Sequence, residues 1–248
     1  MRHVAGWAGL VVLCALAGTA WQAQLSAQPA SATTNLERMP RDLEMRFALS
    51  ALPPHLRAGA TVYLLDPTRG YILGRKGTNG FSCIVERTEW LKVDFRNDIY
   101  TAVCYDSIGS THHLRVWMDV AALRAQGITP GRLRAEIERR YKTMVYKAPT
   151  RPGLSYMVAP LMRTYPNPDP SDKTVATFSM PHFMFYAPNL TNRDIGGAAP
   201  PSPYPFIFEQ GPHGYAILMV GESERAKIAG ASKDLLKDLC AYRAFLCL

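Results

Sequence analysis

Thr61-Val62-Tyr63-Leu64-Leu65-Asp66-Pro67-Thr68-Arg69-Gly70-Tyr71-Ile72-Leu73, continuing to Phe81-Ser82-Cys83-Ile84-Val85-Glu86, is the stretch on which the fold turns. β-Branched and aromatic residues fill the outer runs, and Asp66-Pro67-Thr68-Arg69-Gly70 is turn chemistry, with proline setting φ and glycine accepting a positive one. A second turn, Lys76-Gly77-Thr78-Asn79-Gly80, precedes the third run. The pattern predicts a three-stranded antiparallel meander.

Upstream, Leu36 to Ala51 reads as a helix. Leu43, Phe47 and Ala51 recur every four residues, and Pro53-Pro54 closes it. Downstream, Tyr100 to Cys104 is extended. Leu114 to Met118 suits either strand or helix, and Asp119 to Gln126 is helical. That helix stops at Gly127, with Ile128 placed to touch Leu123 across a left-handed cap. Thr129 and Pro130 then start a second helix with one apolar face of Leu133, Ile137, Tyr141 and Met144. Glu136–Arg140 and Glu138–Lys142 pair along it.

From Pro149 to Pro212 prolines are dense. Val175 to Phe178 and His182 to Tyr186 read as strands, Gly196 to Pro205 as a long loop, and Phe206–Glu209 with Tyr215–Val220 as a hairpin. A C-terminal helix from about Glu224, interrupted near Gly230, carries the stripe Leu235, Leu239, Tyr242 and Leu246. Strands in runs with helices grouped between and at the end predict an α+β class with Pro-rich loops.

The N-terminus has the layout of an export leader. Arg2 and His3 precede an apolar run to Ala17, and small residues follow at Gly18, Ala20, Ala23 and Ala27. Cleavage after Ala27 is favoured over Ala20. The expected organisation is a signal peptide over 1–27, a spacer over 28–35 and one globular domain over 36–248. Cys14 leaves with the leader, since bulky Leu13 precedes it. A retained leader would anchor the chain to a membrane, at the short limit for a span. The expected location is thus secreted or periplasmic.

Four cysteines remain, Cys83, Cys104, Cys240 and Cys247. In an oxidising compartment they are expected as two disulfides, and four thiols allow three pairings. Cys83 and Cys104 on neighbouring extended segments are the favoured pair. In one unbroken helix Cys240 and Cys247 would lie about 10.5 Å apart, beyond bonding reach. Either the helix ends early and the chain turns back, or these two pair elsewhere.

The chain of 248 residues carries a net charge of +8, falling to +7 without the leader. That favours weak attraction to anionic surfaces. A nucleic-acid partner is not expected, because no concentrated basic stripe interleaves with aromatics. Gly-x-Ser-x-Gly, the phosphate-binding lysine loop and Gly-x-Gly-x-x-Gly are all absent, which removes the usual warrants for lipase-like, nucleotide-hydrolysing and dinucleotide-binding readings. No cofactor is expected.

Candidate site residues cluster in the aromatic region from Tyr156 to Tyr215: His182, Tyr186, Glu209 and His213 as the polar centre of a ligand site. Two catalytic alternatives share His182 with this site. A Cys83 thiolate activated by His182 would need a thiol at a helix start. His182, Glu209 and His213 could ligate a metal, although their spacing matches no dedicated motif. His112-His113, read as extended, would point its rings apart.

Two segments carry a resemblance, Gly77-Thr78-Asn79-Gly80-Phe81-Ser82-Cys83-Ile84-Val85-Glu86-Arg87 and Pro181-His182-Phe183-Met184-Phe185-Tyr186-Ala187-Pro188. Together they resemble a group of uncharacterised exported bacterial proteins, in which a second cysteine follows the first by about twenty residues and a Pro-His-x-Met strand comes late. The resemblance implies export and carries no activity or catalytic residue. The reading it joins is an exported, disulfide-stabilised binding or accessory protein of the bacterial envelope, with an unknown ligand or envelope component as partner. An envelope hydrolase is the alternative.

Overall fold

A computed structural model describes residues 35–197 and 202–248. The expected leader, nearly all of the spacer and part of the Gly196–Pro205 loop lie outside the described residues. Ten strands form: β1 (Thr61–Asp66), β2 (Gly70–Arg75), β3 (Ser82–Glu86), β4 (Thr101–Tyr105), β5 (Leu154–Met157), β6 (Met162–Thr164), β7 (Ala176–Phe178), β8 (His182–Tyr186), β9 (Phe206–Glu209) and β10 (Tyr215–Met219). Eight make one mixed sheet in the order β2-β1-β3-β4-β5-β8-β10-β9, and β6 pairs with β7 alone. The class is α+β, as the sequence predicts.

The first hairpin follows its turn chemistry. Asp66 Oδ1 accepts from the amide of Thr68 at 3.0 Å and from its hydroxyl at 2.7 Å, and Gly70 sits at φ +82°. The third strand departs from the meander. Instead of adding beyond β2, β3 lies on the other side of β1 and runs parallel to it, with Thr61 opposite Ser82 and Val62 opposite Cys83. The cause is the 76–80 segment. It crosses the start of β1, where the amides of Thr78 and Asn79 both donate to the Gly59 carbonyl at 2.7 and 3.1 Å. A Cβ on Gly77 would lie 2.2 Å from that oxygen, so only glycine permits the crossing.

Strands β3, β4, β5, β8, β10 and β9 then pair antiparallel in succession. At the outer edge the Asn192 side chain, in the short α6 (Asn192–Ile195), exchanges two hydrogen bonds with the backbone of Ile207. Part of the open ladder of β9 is thereby capped.

Alternation gives the sheet two faces. Cys83, Val85, Ala102 and Cys104 point to one, where Leu43, Phe47 and Ala48 of α1 (Arg41–Ser50) and Leu239 of the C-terminal helix cover them. Phe47 and Leu239 are fully buried, each contributing about 1.5–3 kcal/mol by leaving water. The one-turn α2 (Pro54–Arg57) follows α1.

On the opposite face lie α3 (Ser107–His112), α4 (Leu114–Ala125) and α5 (Pro130–Lys142). Asp106 caps α3 through the Gly109 amide at 2.7 Å. Leu114 to Met118, ambiguous in sequence, is helical: Val116 and Val120 bury together against Leu133 and Ile137 of α5, while Leu114 packs on Ile84, Val103 and Tyr105 of the sheet. Gly127 takes φ +83° and the Ile128 amide bonds the Leu123 carbonyl, as expected of the cap. In α5, Leu133 and Ile137 are buried and Glu136 pairs with Arg140 at 2.7 Å. Glu138 pairs with Arg134 rather than the expected Lys142. Met144 is 62 % exposed, because the helix has ended at Lys142 and the backbone there turns left-handed.

The C-terminal helix is two, α7 (Glu222–Ala231) and α8 (Lys233–Tyr242), with the break two residues past Gly230 at Ser232, which stands at the N-cap position of α8. Arg243 is extended, and a 3-10 turn over Ala244–Leu246 brings the chain back. Of the two alternatives for these cysteines, the early helix end holds: Cys240 bonds Cys247 with Cα atoms 4.4 Å apart. Cys83 bonds Cys104 directly across β3 and β4. Among the described residues no helix is long and apolar enough to cross a membrane.

Candidate functional site

The face opposite α1 and α8 is incompletely covered, and the gap is a cavity of about 610 Å3. Cross-strand register assembles its floor in rows. Tyr105, Ser155, Met184 and Ile217 stand side by side on β4, β5, β8 and β10. Tyr186, Tyr215 and Glu209 make a second row, and Met157 with His182 a third. Glu86 and Thr101, paired across β3 and β4, complete the floor.

Walls rise from four places. His113, Val116 and Trp117 come from the α3–α4 corner, and Tyr141 from α5. The loop after β3 supplies Glu89, Trp90 and Leu91, and the β6–β7 arm supplies Met162, Tyr165 and Phe178. Buried cations hold this architecture. Arg87 donates to the carbonyls of Ile99, Glu37 and Asn97, while Arg124 reaches Thr88 and the Arg96 carbonyl. Together they pin the loop that carries Glu89 and Trp90. Lys92 Nζ donates to the backbone oxygens of Asn167, Asp169 and Asp172, tying that loop to the β6–β7 arm.

Three carboxyl groups line this largely apolar space. Glu86 accepts a 2.7 Å hydrogen bond from the Tyr105 hydroxyl. Burial pushes it up to about 8; the tyrosine pulls the other way, and the like charge of Glu89 adds to the rise. Burial also pushes Glu89 up to about 7, against the hydrogen bond from the Leu91 amide and the attraction of Lys92. Glu209 stands at the rim, and its carboxyl, facing the cavity, is raised by desolvation.

His182 is 2 % exposed. Its Nδ1 lies 2.7 Å from the Met180 carbonyl, which can only accept, so Nδ1 carries the proton. Burial lowers its pKa, leaving a neutral ring with an unprotonated Nε2. Tyr186 shares a 2.7 Å hydrogen bond with the fully buried Ser155 and lies 4.5 Å from the His113 ring. Its hydroxyl occupies the space of absent side chains: a Cβ on Gly109 would fall 1.7 Å from that oxygen. Burial brings His113 down to about 4, with the nearby His213 adding to the effect, and its Nε2 has no hydrogen-bond partner.

Of the residues expected from sequence, His182, Tyr186 and Glu209 line this cavity. His213 does not. The turn between β9 and β10 places it outside the wall, edge-on to Tyr141 at 4.8 Å and to His113 at 6.4 Å. The metal alternative fails with it, since among the described residues no three His, Cys, Asp or Glu side chains converge as a ligand set. The thiolate alternative fails on two grounds. Cys83 is bonded to Cys104, and register puts it on the Tyr156–Phe183 face, opposite His182. Glu86, Glu89, Trp90, Tyr105, His113 and Ser155 were not legible as site residues. Ser155 had a usable signal in its alternation with Met157, whereas His113 was hidden by reading 112–113 as extended. No protein family, curated protein or solved structure matches the chain.

Proposed function

We propose that this is an exported, disulfide-stabilised binding protein of the bacterial envelope that holds a small ligand in the cavity over β4, β5, β8 and β10. The observation that carries the reading is the cavity itself. Its volume, about 610 Å3, falls in the range that encloses a ligand of a few tens of atoms. Methionines and aromatic rings form most of its wall, and a few polar groups on fixed strands punctuate it. Such a surface binds apolar bodies and orients them through sparse polar contacts.

Binding rather than catalysis is favoured by the state of the polar groups. Ser155 is engaged by the Tyr186 hydroxyl, not by an imidazole or carboxylate that would activate it. The four cysteines are held in crosslinks. Export rests on the leader pattern, on those crosslinks, and on the resemblance to exported bacterial proteins; attraction to anionic envelope surfaces follows from the net charge. N-terminal sequencing of exported material beginning at Gln28 supports this part of the proposal, and a retained Met1 contradicts it.

Titration of the mature chain with the apolar reporter N-phenylnaphthylamine tests the binding reading. Saturable one-to-one binding is expected, lost in Met184→Trp, which fills the floor, and in Met180→Trp, which blocks from the side. Binding untouched by either substitution, or no saturable binding, contradicts it.

A further inference from the structure

We infer that the cavity selects an organic cation, an amine or quaternary ammonium carried on an apolar skeleton. The inference rests on the cavity reading above and names the chemistry of its ligand. Among the described residues the wall holds three glutamates, Glu86, Glu89 and Glu209, and no lysine or arginine, in a chain whose net charge is +8. Lys92, whose charge acts on Glu89, donates its ammonium hydrogens to three backbone carbonyls. Among the described lining residues no ammonium or guanidinium is present to offset these acids once they ionise.

A second observation is independent of the acids. His182 is almost wholly buried, and its Nδ1 hydrogen is committed to Met180. With that hydrogen on Nδ1, Nε2 carries a lone pair, and His182 lines the cavity. Ionised carboxylates and a bare imidazole nitrogen are all acceptors, and they suit a ligand that donates. Among the described lining residues an anion would meet three carboxyl groups and no lysine or arginine.

Aromatic faces complete the match. Trp90 and Tyr141 stack at 6.3 Å and 27°, and Phe208 and Tyr215 at 5.8 Å and 23°. Each pair lies beside an acid, Glu89 or Glu209, and ring faces attract cations most when water is excluded. A bare metal ion does not suit the arrangement, because its short bonds need ligands that converge on one point. An extended organic cation can meet separate acids along its length.

The raised carboxyls agree with this. In the empty cavity Glu86 and Glu89 hold protons near neutrality, and an arriving cation displaces them. Acting on Glu86 are Tyr105 from the adjacent β4, Tyr71 and Tyr215 from β2 and β10, and Glu89 from the following loop; acting on Glu89 are Lys92, Glu209 and Tyr215.

Three probes of one shape test the inference: phenylbutylammonium, phenylbutanol and phenylbutyrate, titrated calorimetrically into the mature chain above the value of about 8 to which Glu86 is raised. The ammonium is expected to bind at least about tenfold tighter than the alcohol, with the carboxylate weakest. Glu86→Gln and Glu89→Gln are each expected to erode the ammonium's advantage about tenfold while leaving the alcohol's affinity unchanged. Glu209→Gln, at the exposed rim, tests the same point where the inner variants do not fold. If the alcohol or carboxylate matches the ammonium, or if no glutamine variant changes the preference, the cation inference is overturned and the cavity reading stands. If none of the three probes binds, both are overturned.

Discussion

The hydroxyl of Tyr105 donates a 2.7 Å hydrogen bond to Oε1 of Glu86. This bond is the influence that opposes burial at Glu86, because it favours the ionised carboxylate. Tyr105→Phe therefore raises Glu86 further above its value of about 8. Carboxyl-labelled NMR titration of both proteins reads the shift directly. An unchanged or lowered value contradicts the assignment of the hydrogen bond.

Glu44 on α1 gives a stability prediction with a definite sign. The residue is 1 % exposed, its Oε1 accepts from the Leu65 amide at 2.8 Å, and burial raises it to about 7 against the partial attraction of Arg87, Arg38 and Arg41. The folded chain keeps a proton that the unfolded chain has released, so this contribution is full below about 4.5 and is lost as pH rises through about 7. His113 and His182, held below their ordinary values, act oppositely: their contribution is lost as pH falls below about 6.5. Comparing wild type with Glu44→Gln cancels the histidines. The variant keeps the acceptor for Leu65 and gains as much as about 3 kcal/mol relative to wild type between acid and mildly alkaline pH. Urea unfolding across that range measures it, and parallel curves contradict the burial argument.

The two disulfides close loops of different size, 21 and 7 residues in sequence separation. Loop-closure entropy makes loss of Cys83–Cys104 by paired alanine substitution cost about 3 kcal/mol, and loss of Cys240–Cys247 about 2 kcal/mol. Chemical unfolding should preserve that order. The cavity should survive the second substitution, since Cys240–Cys247 restrains the α8 side of the sheet.

Gly77→Ala places a methyl against the Gly59 and Ala60 backbone, where nothing yields cheaply. A loss of at least about 2 kcal/mol is expected, because overpacking here meets main chain rather than flexible side chain. Gly230→Ala is the contrast. It lies within α7 with open space around it and should gain about 0.5–1 kcal/mol. Thermal melts of the pair separate crowding from ordinary helix propensity.

What was legible in the sequence was local. Asp66, Pro67 and Gly70 announced their hairpin because a turn is written in adjacent residues. Leu133 and Ile137 announced a helix face by their spacing, and alternation in β8 put His182 and Tyr186 on one side. Partnerships between distant segments were hidden. The place of β3 depends on Gly77 meeting Gly59 across the start of β1, a contact that no periodicity records. Glu86 looked like the polar end of a buried strand, and only the positions of Trp90, Tyr141 and the β6–β7 arm make it part of a cavity wall. His213 misled because closeness to Glu209 in a hairpin does not decide which way a turn side chain points.

The central claim is that ligand enters the space over β4, β5, β8 and β10, and the methionines report on it most directly. Met157, Met162, Met180 and Met184 line the cavity, whereas Met39 and Met144 do not. Methyl-resolved NMR of methionine-labelled protein titrated with phenylbutylammonium should shift the four lining methyl signals saturably and together, leaving Met39 and Met144 in place. Shifts confined to Met144 or other surface methyls, with the four lining signals unmoved at saturation, would contradict the account.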